Sequence, residues 1–309
     1  MKVLIVSNGD DMAGIGYYIK DAFDRFGKGF EVRQIRGTDN YIRYPADRHA
    51  PPFHEVRTLY DASDLIHLME YPWALAQFGI NEPLNKPAVV HQHGSPYRSD
   101  SGSIRNNALK MPILVSTPDL IIHGDEIWLP NPISVADMKA IRKERYVKSK
   151  QVRLGHFPTN PAIKHTAEYA TACVNLSAKY DIDYLTGTYL SHEQTLAEKA
   201  RCDILYDQMT YGYGLNGIEA GAMGLAVVGG FEDPAVRERF LGLTGGDSPL
   251  VESTPDTLED VLRGLVTDKK RMKEEQRKAH AFVKRFHDYP VVVKKLSLIW
   301  EKTYDEVSR

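Results

Sequence analysis

Residues 211–230 read YGYGLNGIEAGAMGLAVVGG. Gly212 and Gly214 make a loop, Asn216 can cap a helix running from Gly217 to Met223, and Gly224 stops that helix before the apolar run Leu225 to Val228. The helix carries Glu219. A glycine loop lets backbone N–H groups come close to an anion, and the positive end of the helix dipole favours one there. A carboxylate in the first turns of the same helix accepts hydrogen bonds from hydroxyls. A ligand holding both phosphate and ribose suits this chemistry. By spacing alone the stretch also fits an ordinary α/β unit, with glycines as turns and Glu219 merely favouring a helix start.

Three further stretches could do chemistry. The strand Pro87 to His91 runs into Gln92-His93-Gly94-Ser95-Pro96-Tyr97-Arg98, placing a histidine, a glycine and an arginine just past a strand's carboxyl end. Ligands gather there in open α/β sheets, although a lone strand-end histidine is more often structural. Strand 152–157 leads into Pro158-Thr159-Asn160-Pro161-Ala162-Ile163-Lys164 and then a helix to Ala178. The strand Cys202 to Tyr206 ends in Asp207 and Gln208. No Asp-x-Asp pair occupies a loop, and Asp181 and Asp183 share one face of a strand, so no metal is expected.

The elements that would carry these residues alternate between strand and helix. Lys2 to Ser7 is an apolar run suited to a strand buried on both faces. It opens onto Asn8-Gly9-Asp10-Asp11-Met12-Ala13-Gly14-Ile15-Gly16, then a helix from Tyr17 to Phe26. The glycine spacing is not that of the dinucleotide fingerprint, and a tight β–α turn is the plain alternative for Gly14 and Gly16. Strands follow at 30–35, 64–69, 87–91, 112–117, 120–122 and 127–129. The polar loop Gly37 to His54 is long for a compact domain and carries Tyr41, Arg43, Tyr44, Arg48 and His49, which are read as facing water first. Lys139 to Lys150 is read as a solvated linker helix, with nucleic-acid binding the sharper alternative. From 152 the strand and helix alternation repeats, and Val291 to Val307 closes the chain as an amphipathic helix with 293, 296, 299, 300 and 304 on one face.

Length sets the frame. At 309 residues the chain suits two domains of roughly 150 residues with a cleft between them. Hydrophobic and charged fractions of 42% and 26% are those of a globular protein, and a net charge of −2 gives no overall pull toward nucleic acid or anionic membrane. Cys173 and Cys202 offer neither a disulfide framework nor metal-ligand spacing, and the chain starts on a strand rather than a signal peptide, so a cytoplasmic setting is expected. No transmembrane segment is expected either.

The pattern Tyr-Gly-Leu-x-x-x-Glu-Ala-x-Ala-x-Gly-x-Ala-Val-Val resembles the donor-binding signature of the GT-B retaining glycosyltransferases, the family-4-like group that uses nucleotide sugars. HQHGSPYR, LPNPI at 129–133 and HFPTNPAIKHT at 156–166 are similar to further segments of these enzymes. The resemblance implies an α/β fold of two Rossmann-like doubly wound domains facing a cleft, with a C-terminal helix crossing back to the first domain. Residues 1–134, completed by 290–309, would form the acceptor-side domain, 135–150 a linker and 151–289 the nucleotide-sugar domain. It implies that Glu219 holds ribose and His93 contacts the donor sugar. Lys164 would neutralise the diphosphate. Gly14, Gly16, Gly94, Arg98, Asn160, Tyr211, Gly212, Tyr213, Gly214 and Leu215 fall on the donor side. Where the family has a glutamate eight residues before Glu219, this chain has Tyr211; Asp207 and Gln208 resemble the Asp-Gln pair of a variant subgroup.

The implied activity is retaining transfer of a sugar from a UDP- or GDP-linked donor to a hydroxyl acceptor of saccharide, lipid-linked or nucleic-acid type, with no cofactor beyond the nucleotide-diphosphate sugar. Three alternatives stay open: a DNA-modifying, phage-type transferase acting on hydroxymethylated bases, a GT-B-type nucleotide-sugar epimerase, and a non-catalytic nucleotide-binding module.

Overall fold

The computed structural model describes residues 1–7, 9, 14–38 and 42–308. Asn8, Asp10, Asp11, Met12 and Ala13 of the first loop, and Tyr41 of the second, lie outside the described residues. The chain divides into two compact units, residues 1–132 with 289–309, and 133–288. Each is an open parallel sheet with helices, as the apolar strand runs require, because a strand buried on both faces cannot alternate polar and apolar residues.

Unit 1 runs β1 (Lys2–Ser7), α1 (Ile15–Phe26), β2 (Glu31–Arg36), β3 (Arg48–His49), α2 (Phe53–Ala62), β4 (Leu65–Met69), β5 (Ala88–Gln92), α3 (Ser95–Ala108), β6 (Ile113–Val115) and β7 (Ile127–Trp128). Its seven strands pair in parallel in the order β3-β2-β1-β4-β5-β6-β7. The order reverses between β1 and β4, the switch point outside whose strand ends α/β sheets bind ligands. Leu120 to Ile122, expected as a strand, is instead led by a 3₁₀ turn over Pro118–Leu120, since Pro118 fixes a turn-compatible φ.

Unit 2 runs α4 (Val135–Arg145), β8 (Val152–His156), α5 (Thr166–Ser177), β9 (Ile182–Thr186), α6 (His192–Lys199), β10 (Ile204–Tyr206), α7 (Leu215–Met223), β11 (Ala226–Gly229), α8 (Pro234–Thr244), β12 (Leu250–Glu252), α9 (Leu258–Thr267) and α10 (Lys269–Phe286). Its sheet has the order β12-β11-β10-β8-β9, all parallel, with the switch point between β8 and β10. The stretch 135–150, expected as a linker, contains α4, and Arg142 of α4 donates to the carbonyls of Ala200 and Cys202 at the end of α6. Tyr146 adds a hydrogen bond to Asp203 at 2.9 Å. A cation at a helix C-terminus satisfies carbonyls that have no intrahelical partner.

The chain then returns to unit 1 as α11 (Tyr289–Ser308). Trp300 is its anchor, fully buried against Phe23 at a ring separation of 4.4 Å. Its indole N–H can only donate, so His67 Nδ1, 3.2 Å away, must accept. That leaves the His67 proton on Nε2, 3.2 Å from His91 Nδ1, and the His91 proton on Nε2, 3.1 Å from Ser116 Oγ. One directed chain thus ties α11 to β4, β5 and the end of β6. Burial lowers His67 to about 3 and His91 well below its ordinary value, which keeps both rings neutral. No helix of the described residues is long and apolar enough to cross a membrane.

The chain's neutrality makes stability acid-sensitive. In unit 2, burial likewise lowers His156 to about 4, against a hydrogen bond that its Nδ1–H donates to the Tyr206 carbonyl and that works the other way. Unfolded histidines bind protons below about 6.5 while the folded ones do not, so stability falls as pH drops from there toward the folded values, by up to about 1.4 kcal/mol per pH unit for each ring. The urea midpoint is expected to decline between pH 6.5 and 4.5, before carboxylates protonate. A flat midpoint over that interval would contradict the burial of these rings in neutral form.

Candidate functional site

Strand β10 delivers Asp207 and Gln208 to its carboxyl end, where both are almost fully buried. Asp207 Oδ2 accepts the Gly214 N–H at 2.7 Å, so a carboxylate caps the start of α7. Asn216, expected as that cap, lies inside α7 instead. The carboxylate also explains a glycine inside the helix: a Cβ on Gly217 would sit 2.8 Å from Asp207 Oδ2. Gly212 has φ +86°, and a Cβ there would lie 2.2 Å from the Phe231 ring, so loop conformation and packing both demand glycine. Tyr211 bridges antiparallel to Phe231 beside it. Tyr213 is interior, with its hydroxyl 3.0 Å from His287 Nε2 and its ring against Phe240 and Phe282. Its side chain anchors the loop to the interior of unit 2. Leu215 opens α7 and is half-buried.

Lys164 approaches the same strand end from β8, across the switch point. Asn160 caps the 3₁₀ turn Pro161–Ile163, its side chain accepting the Ala162 N–H at 3.2 Å. The Tyr206 hydroxyl then donates to the Lys164 carbonyl at 3.1 Å, and Thr210 Oγ1 to that of Ile163 at 3.2 Å. These bonds hold the lysine turn to the end of β10. The Lys164 ammonium stands 4.0 Å from Asp207 Oδ1. Asp207 Oδ1 and Gln208 Oε1 are both buried with no hydrogen-bond partner among the described residues. Two buried acceptors without donors are costly to a fold, and where they persist they call for an explanation in function or bound solvent.

Glu219, on α7, has both oxygens engaged. Lys199 Nζ donates to Oε2 at 2.5 Å and His192 Nε2 to Oε1 at 2.9 Å. Burial alone would raise this carboxyl, but Lys199 first and His192 second outweigh it and pull it down to about 2. Glu219 is therefore a carboxylate throughout the physiological range. The sequence reading missed both partners. Their one signal is spacing: seven residues apart on α6, they fall on the same helical face, with buried Leu196 between them.

In unit 1, Gly14 has φ +65° and forms the N-cap of α1, with the Tyr44 ring where its Cβ would be. Gly16 is buried in the first turn of α1. His93 follows β5, its side chain 4% exposed and its Nε2 3.5 Å from Glu70 Oε1. Glu70, at the end of β4, was not singled out from sequence. It adopts φ +66°, held by its N–H on the His91 carbonyl at 2.8 Å and by Gln92 Nε2 on its own carbonyl at 2.5 Å. A left-handed non-glycine residue at a strand's carboxyl end is a mark of a functional edge. Gly94 is extended, and a Cβ there would meet only Pro96 at 3.7 Å, so sterics do not require this glycine. Arg98 Nε donates to Asp119 Oδ2 at 2.6 Å, and Arg153 Nη1 donates to the Val147 carbonyl at 2.9 Å. His91, the first histidine of HQHGSPYR, belongs to the buried Trp300 chain.

No protein-family model matches the chain, and no curated protein matches it by sequence. Solved structures do. An alpha-glucosyltransferase in complex with UDP and a 13-mer DNA has a TM-score of 0.66 at 13% identity, with all of both chains covered. HepE of Anabaena, in complex with UDP and glucose, has a TM-score of 0.68 at 13% identity over 97% of this chain and 99% of that one. A sucrose-phosphate synthase from Thermosynechococcus elongatus has a TM-score of 0.65 at 11% identity over 99% of each. At such identities the likeness establishes the fold, which is that of the GT-B glycosyltransferases.

The glycine loop is the part of this site whose geometry is most tightly prescribed. Gly212→Ala is expected to destabilise the protein by roughly 1–3 kcal/mol, since it adds a side chain at positive φ and drives it into Phe231. Urea unfolding measures this, and a midpoint equal to the wild type's would show that the loop does not hold the described conformation.

Proposed function

We propose that this GT-B chain is a glycosyltransferase that moves a sugar from a nucleotide-diphosphate donor to a hydroxyl acceptor with retention of anomeric configuration. The observation that carries the reading is the end of β10. Two buried acceptors, Asp207 Oδ1 and Gln208 Oε1, have no hydrogen-bond donor among the described residues, beside the Lys164 ammonium and the start of α7. Sugar hydroxyls would supply the missing donors, and the lysine and helix start would receive the diphosphate. Glu219, fixed as a carboxylate, would take the ribose. Asn160 shapes the turn that presents Lys164, and the glycine loop from Tyr211 to Leu215 lets the backbone reach the ligand. That UDP accompanies two of the matching structures supports a UDP-linked donor.

In the reaction the bond between the anomeric carbon and the diphosphate oxygen breaks, and a bond to the acceptor oxygen forms on the same face. The acceptor's proton passes to the departing phosphate oxygen, so no pair of hydrolase-type carboxylates is needed. Charge grows on the diphosphate as it leaves, and a fixed ammonium is worth most at that moment. The remaining assignments rest on the resemblance: His93 and Gly94 to the donor sugar, and unit 1 to the acceptor. DNA in one of the matching complexes makes hydroxymethylated DNA an acceptor worth testing beside saccharides. The free thiols Cys173 and Cys202, buried and raised to about 12, are consistent with a cytoplasmic protein.

Two measurements test the proposal. A thermal-shift series with UDP-glucose, other UDP-sugars and GDP-sugars is expected to give stabilisation by one donor, about 2.7 kcal/mol at a hundredfold excess over Kd. With that donor labelled, Lys164→Ala should lower kcat by about 10²- to 10³-fold while the unfolding midpoint is kept. Wild-type turnover in Lys164→Ala, or no stabilisation by any nucleotide sugar, would sink the assignment. Isomerised donor without an acceptor would favour an epimerase.

A further inference from the structure

The charge of the chain is unevenly spread. Lys and Arg total 39 and Asp and Glu 41, yet residues 135–150 and 269–286 together hold fourteen of those cations and only four of the anions, Asp137, Glu144, Glu274 and Glu275. The rest of the chain keeps 25 cations against 37 anions, so a near-neutral total conceals a strongly basic part. Four of the fourteen are ion-paired: Arg142 to Asp203, Arg145 to Glu144, Lys278 to Glu275 and Arg285 to Asp247. Among the described residues the other ten make no ion pair, and all of them except Arg271 are exposed.

Both segments belong to unit 2 and lie side by side. Helices α4 and α10 each pack on α7, and both reach Asp203: the Tyr146 hydroxyl donates to its Oδ1 at 2.9 Å and Gln276 Nε2 to its carbonyl at 3.0 Å. His280, one turn after Gln276, meets the end of α7 at the Gly221 and Ala222 carbonyls. Its pKa is lowered by burial first and by Lys139 of α4 next, with Lys284 adding to the effect, so the cationic flanks of the two helices face each other. Helical spacing places the rest. Lys143 is one turn from Lys139, and Lys273, Arg277 and Lys284 succeed one another at intervals of four and seven along the His280 side of α10. Five exposed cations therefore line one seam.

We propose that this seam binds the phosphate backbone of a duplex nucleic acid. Its composition selects that occupant over others. A membrane surface would be met by an apolar face, and Val147 is the one large apolar residue exposed in either segment. Lysine is depleted where proteins recognise proteins, whereas four of the five cations here are lysines. A single strand would call for rings on which to stack its bases, and no aromatic ring of the two segments is exposed. What is left is a row of point charges. From Lys273 to Lys284 the helix rises by about 16 Å, which spans roughly five phosphates of one strand. The proposal goes beyond the transferase reading and does not depend on it, since the duplex would bind without a nucleotide sugar.

Fluorescence anisotropy of the full chain with labelled duplex DNA and duplex RNA of about 20 base pairs, and with the matching single strands, reads this binding across a salt series. Sedimentation with phosphatidylserine vesicles is the companion measurement. Binding of one duplex or of both is expected, with a steep loss as salt rises. The triple variant Lys143→Gln, Lys273→Gln, Arg277→Gln should weaken it by about 10²- to 10³-fold at about 0.1 M salt and make the logarithmic salt slope shallower by about 3. A second triple variant, Lys28→Gln, Lys179→Gln, Lys302→Gln, removes the same charge from other exposed positions and should bind as the wild type does. Far-UV circular dichroism and the urea midpoint check that both variants are folded. If the wild type binds no duplex, if the two triple variants lose binding equally, or if single strands or vesicles are held through these residues in preference to duplex, the proposal falls. None of these outcomes touches the donor reading, which the thermal-shift series decides by itself.

Discussion

The ion pair between Lys199 and Glu219 is the constraint around which unit 2 is arranged. An ammonium without exposed surface is tolerable only when a carboxylate meets it directly, and the same holds for the carboxylate. The pair therefore fixes α6 against α7 in register as well as in contact. It requires that α6 end where Lys199 can reach inward, and Arg142 of α4 secures that end through the carbonyls of Ala200 and Cys202. It also requires that α7 start at a set point, and Asp207 secures that through the Gly214 N–H. Two charges that would be costly alone thus specify where two helices begin and end.

Much of this architecture could be read from the chain. Continuous runs of Val, Ile and Leu, such as Leu65–Met69 and Ala226–Gly229, identified strands buried on both faces, and their alternation with helices gave the two-sheet class. Helix α3 escaped because its sequence, SPYRSDSGSIRNNA, is polar on most faces and its backbone breaks at Asp100, where φ −144° and ψ 46° interrupt the period. The glycine loop was legible because glycine has few other reasons to recur at that spacing. The roles inside it were less so. Tyr213 reads like its loop neighbours but is drawn inward by His287, seventy-four residues on, a partner no local pattern could announce. Lys199 is the sharpest case: a lysine at the end of a short helix ordinarily faces water, and only the carboxylate from α7 turns it inward.

Unit 1 solves a related problem with neutral groups. A buried imidazole is tolerable uncharged if each nitrogen has a partner, and the Trp300 indole forces a single proton arrangement through His67 and His91 to Ser116. The consequence for the candidate site is indirect but specific. The end of β5 is pinned by His91, so His93 two residues on has a fixed point of departure, and Glu70 takes a strained φ because its N–H must meet the His91 carbonyl. The same bonds that fasten α11 to the sheet thus also set the strand ends from which His93 and Glu70 project.

Tyr211 stands where the family's pattern has a glutamate. A glutamate at that position would sit one residue before a glycine at φ +86° that is already covered by the Phe231 ring, on a segment bridged to Phe231. The carboxylate that this loop does possess comes instead from Asp207, at the end of the strand, and it does two things from there. One oxygen caps α7 through Gly214, and the other remains buried beside Lys164. A loop glutamate would have to be ordered by its ligand, whereas Asp207 is ordered beforehand by the sheet, the helix start and the absence of a Cβ at Gly217. Moving the acidic group from the loop to the strand end exchanges adaptability for preorganisation. A site whose acceptors are held in place before the ligand arrives loses less conformational entropy on binding than one that must assemble around it.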